Sequence, residues 1–372
     1  MKHQKHAKIT RKEIGNYGIN EVAVMGTTCG DIKSFVASVS KELAPLKVAF
    51  MDMDHKSDEE EKVKSFFGDT VVTYTDKINF KRFDSQESYS SFELRQLFKS
   101  CDITLVNGNH FEGQKQLLFV DDRKPLLKKV AKIKNPIGVV FTEGKEALSE
   151  DLLKEKPELA ELPTFRSDDL KDIASFIQSQ SVIKPKLKGL VLVGGKSTRM
   201  GEDKSMLDYH GQPQWKHSYD LLSQYCDEVY VSVADKKEQF SEVKQLQDKF
   251  IGLGPMSGIL SAFQEDPNAA WLVVACDLPL LSASSLNQLV NARNPQKYAT
   301  SFKSPTMEFP EPLICIWEPK AYGRLLEFLS WGYSCPRKAL INSDIELLIA
   351  DHEEEMTNAN TPEEFQKIKG LL

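Results

Sequence analysis

Apolar residues in the first half of the chain fall in short runs of strand length: "EVAVMG", "KVAFMD", "ITLVNG", "QLLFVDD" and "IGVVFT". Between or after them the spacing turns helical, as with Phe35, Val36, Val39 and Leu43 on one face of the segment opening at Asp31. Strands alternating with helices imply crossover connections and therefore parallel strands. The series closes with "SDDLKDIASFIQSQ", where Leu170, Ile173, Ala174 and Ile177 repeat at helical period. "SVIKPKLK" then breaks the pattern with polar residues and Pro185, which marks a linker. A second series begins at once. Its strands are "GLVLVGG", "EVYVSVA", "WLVVACD" and "PLICIW"; its helices come from "WKHSYDLLSQYC", "SASSLNQLVNA", "PKAYGRLLEFLS" and "TPEEFQKIKG". The expectation is an α/β chain of two domains, 1–183 and 188–372, joined by linker 184–187, each a mainly parallel sheet flanked by helices.

Composition adds little beyond exclusions. The chain has 372 residues, 41% hydrophobic and 27% charged, ordinary for a globular protein with real cores. Its net charge is 48 − 54 = −6, so it does not advertise nucleic-acid or acidic-membrane binding. No apolar run approaches the ~20 residues of a membrane span. The opening "MKHQKHAKITRKEIG" is basic but lacks the apolar core of a secretory signal, and reads as a short frayed arm. Six cysteines (29, 101, 226, 276, 315 and 335) stand far apart without zinc spacing, so buried free thiols in a reducing cytoplasm are expected. The acidic clusters "SDEEEKVK" and "DHEEEM" read as solvated surface.

The chemistry concentrates in "GLVLVGGKSTRMGEDKSML", residues 189–207. It is neither a P-loop nor a dinucleotide fingerprint, because the glycines stand at 194, 195 and 201. An apolar strand running into Gly194-Gly195 nonetheless offers a turn where backbone can approach an anion. Arg199 and Lys204 follow, one planar fork and one mobile point charge suited to a triphosphate. Downstream, "WLVVACDLPLL" ends its apolar run at Asp277, where a carboxylate at a strand end is poised for Mg²⁺. Taken singly, each feature is as well explained by a turn or a cap; their order along the chain favours a site.

That order is also familiar. Residues 188–372 resemble the molybdenum cofactor guanylyltransferase (MobA) family, part of the nucleotidyltransferase fold group. The family's L-x-G-G-x-x-x-R-M-G-x-D-K is matched by "LVGGKSTRMGEDK", and D-x-x-x-x-x-x-G-P-x-x-G-I resembles "DKFIGLGPMSGI", which is one residue shorter between its Asp and Gly-Pro. C-D-x-P is matched by "CDLP", and N-x-N-T-P-E-[DE] by "NANTPEE". The resemblance implies a Rossmann-like nucleotidyltransferase that moves GMP from GTP to molybdopterin or Mo-molybdopterin, releasing pyrophosphate. It implies that Val193, Gly194, Gly195, Lys204, Asp248, Gly254, Gly258 and Asp277 form the nucleotide site, and that Arg199, Lys204 and Asp277 are catalytic. Asp277 would be the Mg²⁺ ligand, and Asn358 and Asn360 would meet the pterin substrate. Molybdopterin-supplying and molybdoenzyme-maturation proteins are the further partners implied; no nucleic acid or membrane is. Two departures stand out: Val193 replaces the usual Ala, and Ser232-Val233-Ala234 replaces the usual Asn-x-Asn. Other readings are a sister transferase making the cytosine dinucleotide or a nucleotide sugar, and a non-catalytic nucleotide-binding scaffold. "VGG" and "CDLP" weigh against the first, and the retained Arg199, Lys204 and Asp277 against the second.

The first domain resembles the MobB-type adapter, a P-loop protein, through its first strand and Gly turn, "CDITLVNGNHF" and "LPTFRSDDLKDIASFI". Counting from Gly26, Asp31, Ile32 and Lys33 stand where a P-loop has Gly, Lys and Ser/Thr. A carboxylate there repels phosphate. Asp31 reads as an N-cap, Lys33-Ser34 as a shifted anion loop or plain helix, and Asp52 and Asp54 as surface carboxylates or Mg²⁺ ligands. The expectation is a degenerate adapter that no longer hydrolyses GTP.

Overall fold

The computed structural model describes residues 17–18, 20–53, 71–181, 184–193, 203–234, 240–359 and 361–370. The chain divides into two compact units, Met1–Ile183 and Lys184–Leu372.

The strands of the first unit are β1 (Glu21–Met25), β2 (Val48–Met51), β3 (Val72–Lys77), β4 (Phe80–Ser85), β5 (Ile103–Asn107), β6 (Lys115–Val120), β7 (Pro136–Phe141) and β8 (Thr164–Arg166). Six of them pair in the order β2-β5-β1-β6-β7-β8, every neighbour parallel. The helices are α1 (Cys29–Glu42), α2 (Ser91–Phe98), α3 (Glu150–Glu155) and α4 (Leu170–Ser181). β1 and β5 are buried along their whole length, which is why they read as unbroken apolar runs. Ile32, Phe35, Val36 and Val39 of α1 share one core with Ile173, Ala174 and Ile177 of α4. β3 and β4 form a separate antiparallel hairpin that exposes Tyr74, Ile78, Phe80 and Phe83. The hairpin and β8 carry no buried apolar run, and neither is visible in the hydrophobic pattern.

The second unit contains β9 (Leu187–Leu192), β10 (Glu228–Val233), β11 (Lys244–Gln247), β12 (Ala270–Ala275), β13 (Ala299–Lys303), β14 (Pro310–Trp317) and β15 (Glu346–Leu348). Their order is β11-β10-β9-β12-β14-β13-β15. β14 runs antiparallel to β12 and β13, and the other pairs are parallel. The helices are α5 (Gln214–Ser223), α6 (Pro255–Glu265), α7 (Ala283–Asn291), α8 (Ala321–Ser330), α9 (Pro336–Ile341) and α10 (Pro362–Lys369). Alternate residues of β9 enter opposite cores, as a strand's period of two requires. Val191 and Val193 join Trp215, Leu222 and Leu286. Leu190 and Leu192 join Ile259, Phe263 and Leu325.

Three expectations need correction. Leu187, placed in the linker, is buried as the first residue of β9. Of the thiols, Cys276 and Cys315 are buried, Cys29, Cys101 and Cys226 half-buried, and Cys335 exposed. In "DHEEEM", Glu355 accepts hydrogen bonds from the Ser282 N–H (2.9 Å) and hydroxyl (2.7 Å), so that cluster is partly structural. "SDEEEKVK" lies outside the described residues. Among the described residues no helix is long and apolar enough to cross a membrane.

Candidate active site

In the second unit α5 and α6 cover opposite faces of the sheet. Their crossovers therefore part between β9 and β12, which opens a crevice at the carboxyl ends of those strands. Val193, Lys204, Asp248, Gly254, Gly258 and Asp277 all line this one cleft, together with Ser205 and Ser232. Gly194, Gly195, Arg199 and Asn360 lie outside the described residues.

Asp277 follows the end of β12. It is not the exposed strand-end carboxylate that a cap would be: its Oδ1 is buried and has no hydrogen-bond partner. Burial pushes its ionisation up, the charge of Lys204 pulls it down, and Glu311 raises it further. A buried carboxylate oxygen without a donor, beside a lysine, suits a divalent cation that also takes phosphate oxygens. Among the described residues no cluster of three or more His, Cys, Asp or Glu could cage a metal. A cation here would share its ligands with substrate. Lys204 opens a short 3-10 turn, and Asp203 caps it by accepting from the Ser205 N–H (3.1 Å) and hydroxyl (2.7 Å).

The G-P-x-x-G segment has a separate reason for each residue. Gly254 sits at φ 58°, ψ −138°, a conformation that side chains resist, and Pro255 begins α6. A Cβ at Gly258 would lie 2.6 Å from Leu192 Cδ2 and from Ser232 Oγ. That glycine lets α6 lie close against β9 and β10. Ser232 Oγ donates to Asp248 Oδ1 at 2.7 Å. Burial raises the ionisation of Asp248, and the serine bond lowers it.

Asn358 lies in a neighbouring hollow with Leu278, Glu311 and Arg337, and Leu313 lines both spaces. Arg337 Nη2 donates to Glu311 Oε2 at 3.0 Å, while its Nε is buried without a partner. Sequence reasoning missed both residues, and no motif surrounds either. "TPEE" starts α10: Thr361 and Glu364 form a capping box, with Pro362 in the first turn. Phe365 meets Tyr209 edge-on at 4.8 Å, and Ala359 and Ile368 join the same small core. His210 Nε2 lies 2.8 Å from the Pro279 carbonyl, and the ring stacks on His217 at 3.7 Å. These histidines brace the loop after Asp277.

The model of the MobA-like NTP transferase domain matches residues 189–342. The second unit is a MobA-like NTP transferase domain. A Synechocystis protein named molybdenum cofactor biosynthesis bifunctional protein is 36% identical over 185 residues, 49% of this chain and 53% of that protein. The chain thus spans about half the length of that relative. A Shewanella molybdenum cofactor guanylyltransferase is 26% identical over 190 residues, 49% of this chain and 95% of its own. A crystal structure of molybdopterin-guanine dinucleotide biosynthesis protein A from Archaeoglobus fulgidus is 21% identical, covering 50% of this chain and 97% of that one, with a TM-score of 0.43. The second unit thus carries a domain of the nucleotidyltransferase class.

The first unit holds a different arrangement at the start of α1. Thr28, not Asp31, is the N-cap, accepting from the Asp31 N–H at 3.2 Å. Asp31 lies three residues further on, and its Oδ2 accepts from Thr28 Oγ1 (2.6 Å) and Arg123 Nη2 (2.7 Å). Arg123 also grips Asp121, whose Oδ2 accepts from Thr27 Oγ1 at 2.6 Å. Hydrogen bonding to Arg123 holds Asp121 down to about 2. The helix N-terminus is thus occupied by the chain's own carboxylate. Lys33 pairs with Asp52 at 3.2 Å, and Asn107 Nδ2 donates to Asp52 at 2.6 Å. Both residues are engaged within the fold. Asp54 lies outside the described residues.

Proposed function

We propose that the transferase domain is a molybdenum cofactor guanylyltransferase, joining GMP from GTP to molybdopterin or its molybdenum-loaded form. The observation that carries this reading is the cleft in which Asp277, its Oδ1 buried without a partner, and Lys204 stand together at the strand switch point. The names borne by the relatives support the choice of substrates. A phosphate oxygen of the acceptor attacks the α-phosphorus of GTP in line; the new P–O bond forms as the bond to the β-phosphate bridging oxygen breaks, and pyrophosphate departs with the electron pair. Two anions must meet, so positioning and charge neutralisation dominate. Lys204 stabilises the phosphates, with Arg199 assigned the same task by resemblance. Asp277 would hold Mg²⁺, which when bound supplies further positive charge to the phosphate oxygens. The Asn358 hollow, with the buried Nε of Arg337, is suited to the acceptor's phosphate and pterin.

The first unit fits a MobB-like adapter that has lost its nucleotide, because Asp31 and Arg123 close the phosphate position from within. Its remaining role is docking or assembly.

Incubating the protein with each nucleoside triphosphate, Mg²⁺ and molybdopterin, then identifying the dinucleotide by mass, tests the activity. GTP should be consumed and the guanine dinucleotide formed. A cytosine product would move the assignment to the sister enzyme.

A further inference from the structure

We propose that Ser232 is a positioning residue for base selection: it fixes the Asp248 carboxylate so that its free acceptor sites face the Watson–Crick edge of guanine. This deepens the guanylyltransferase reading and rests on it.

Lys204 and the proposed metal site at Asp277 mark where the phosphates belong. Asp248 follows β11, on the side of the sheet reached by passing from β9 through β10. A carboxylate lining a nucleotide cleft repels phosphate and must meet the part of the ligand that donates hydrogen bonds. Guanine offers N1–H and the exocyclic N2–H₂ side by side, a pair of donors that matches a two-oxygen acceptor. Cytosine and adenine each pair one exocyclic donor with a ring acceptor, which the carboxylate would oppose. The same cleft is lined by Val193, Gly254, Pro255 and Gly258, whose small side chains suit a flat ring.

Orientation is then the question, because a carboxylate free to rotate does not discriminate well. Among the described residues, Ser232 is the side chain that donates to Asp248, at 2.7 Å. It is buried in β10, and the place a Cβ on Gly258 would take is 2.6 Å from its hydroxyl. The absence of that Cβ is what gives the hydroxyl its room. An Asn at this position, as the family usually has, could itself contact the nucleotide. A serine is too short for that and acts through the carboxylate.

The test is calorimetric titration of the full-length protein with GTP, ITP and 2′-deoxy-GTP in the presence of Mg²⁺. ITP lacks only the 2-amino group, and a lost hydrogen bond to a charged acceptor should weaken it about tenfold or more against GTP. Ser232→Ala should reduce that discrimination to within about threefold while leaving the melting temperature close to wild type. Asp248→Asn should abolish the discrimination as well, which checks the carboxylate should the serine variant fold poorly. Equal affinity of the wild type for GTP and ITP overturns the proposal and leaves the transferase reading standing. So does weakening by 2′-deoxy-GTP alone, which would place Asp248 on the ribose. Discrimination unchanged in Ser232→Ala overturns the role of the serine. No binding of any of the three by the wild type overturns the reading beneath it.

Discussion

The backbone N–H of Ala359 donates to the carbonyl of Asp277 at 2.9 Å. The chain just after Asn358 is therefore tied to the residue proposed to hold the metal, although 82 positions separate Ala359 from Asp277 (359 − 277). The tie depends on α10, which Thr361 and Glu364 cap and Tyr209 and Phe365 seat.

Thr361→Ala should therefore act at a distance. Loss of the cap costs about 1 kcal/mol of helix stability, and the loosened segment carries Asn358. The KM for the molybdopterin acceptor should rise several-fold while GTP affinity stays near wild type. Steady-state kinetics varying each substrate in turn would separate the two, and an equal effect on both would show that the segment serves nucleotide binding instead.

Asp277→Asn removes a charge and keeps the shape. Turnover should fall by roughly 10²-fold or more, the scale of losing a key electrostatic group. Stability should move the other way. Burial raises the pKa of Asp277 in the folded state, so the folded protein holds this proton more tightly than the unfolded one. Stability contributed by the protonated group is present below the unfolded value and is lost as pH rises to the raised folded value, after which it is level. At neutral pH without metal, the asparagine variant should melt no lower than wild type. Adding Mg²⁺ should raise the wild-type melting temperature and leave the variant unmoved.

Asp121 has the opposite sign. Hydrogen bonds from Arg123 hold it at about 2, below the ~3.9 of an unfolded Asp. Its contribution is full above that unfolded value and is lost as pH falls toward about 2. Asp121→Asn should lower stability near neutrality and flatten the acid limb between these values. Urea midpoints of wild type and variant at several pH values would measure both effects.

A chain of residues 184–372 should fold alone and keep measurable transferase activity. Lys186 must be included, because its carbonyl accepts from the Ala270 N–H at 2.9 Å beside the start of β9. The complementary residues 1–183 should show no saturable binding of GTP at tens of micromolar, since the Asp31 carboxylate, paired with Arg123, stands in the first turn of α1. Circular dichroism and nucleotide titration decide both; micromolar GTP binding by the first unit would mean that its ion pair opens.

Much of the fold is legible because strands such as β9 and β12 are buried on both faces and appear as continuous apolar runs. "KQLQ" in β11, "ATSFK" in β13 and "ELL" in β15 are short or mixed, and their strand character comes from neighbours already in place. α6 hides inside a motif, since "PMSGIL" reads as glycine-rich loop until the left-handed Gly254 is seen to end before a proline-started helix. Six expected site residues gather in one cleft because each stands in one of the motifs read from the sequence. Glu311 and Arg337 could not be found that way, being 26 residues apart and joined only through the folded sheet. Asp31 was misplaced as a cap because Thr28 does the same task three residues earlier.

β14 is the strand that runs against both its neighbours. Ile314 pairs with Val274 near the end of β12, and Trp317 pairs with Trp271 near its beginning. The chain therefore enters β14 at the cleft and leaves it at the far end of the sheet. Parallel strands can offer a site of this kind only the residues at which they finish; this one offers those at which it starts. Glu311 and Leu313 owe their places to that reversal, and Leu313 lines both hollows. In the proposed reaction the two substrates would lie on either side of a side chain that a reversed strand supplies.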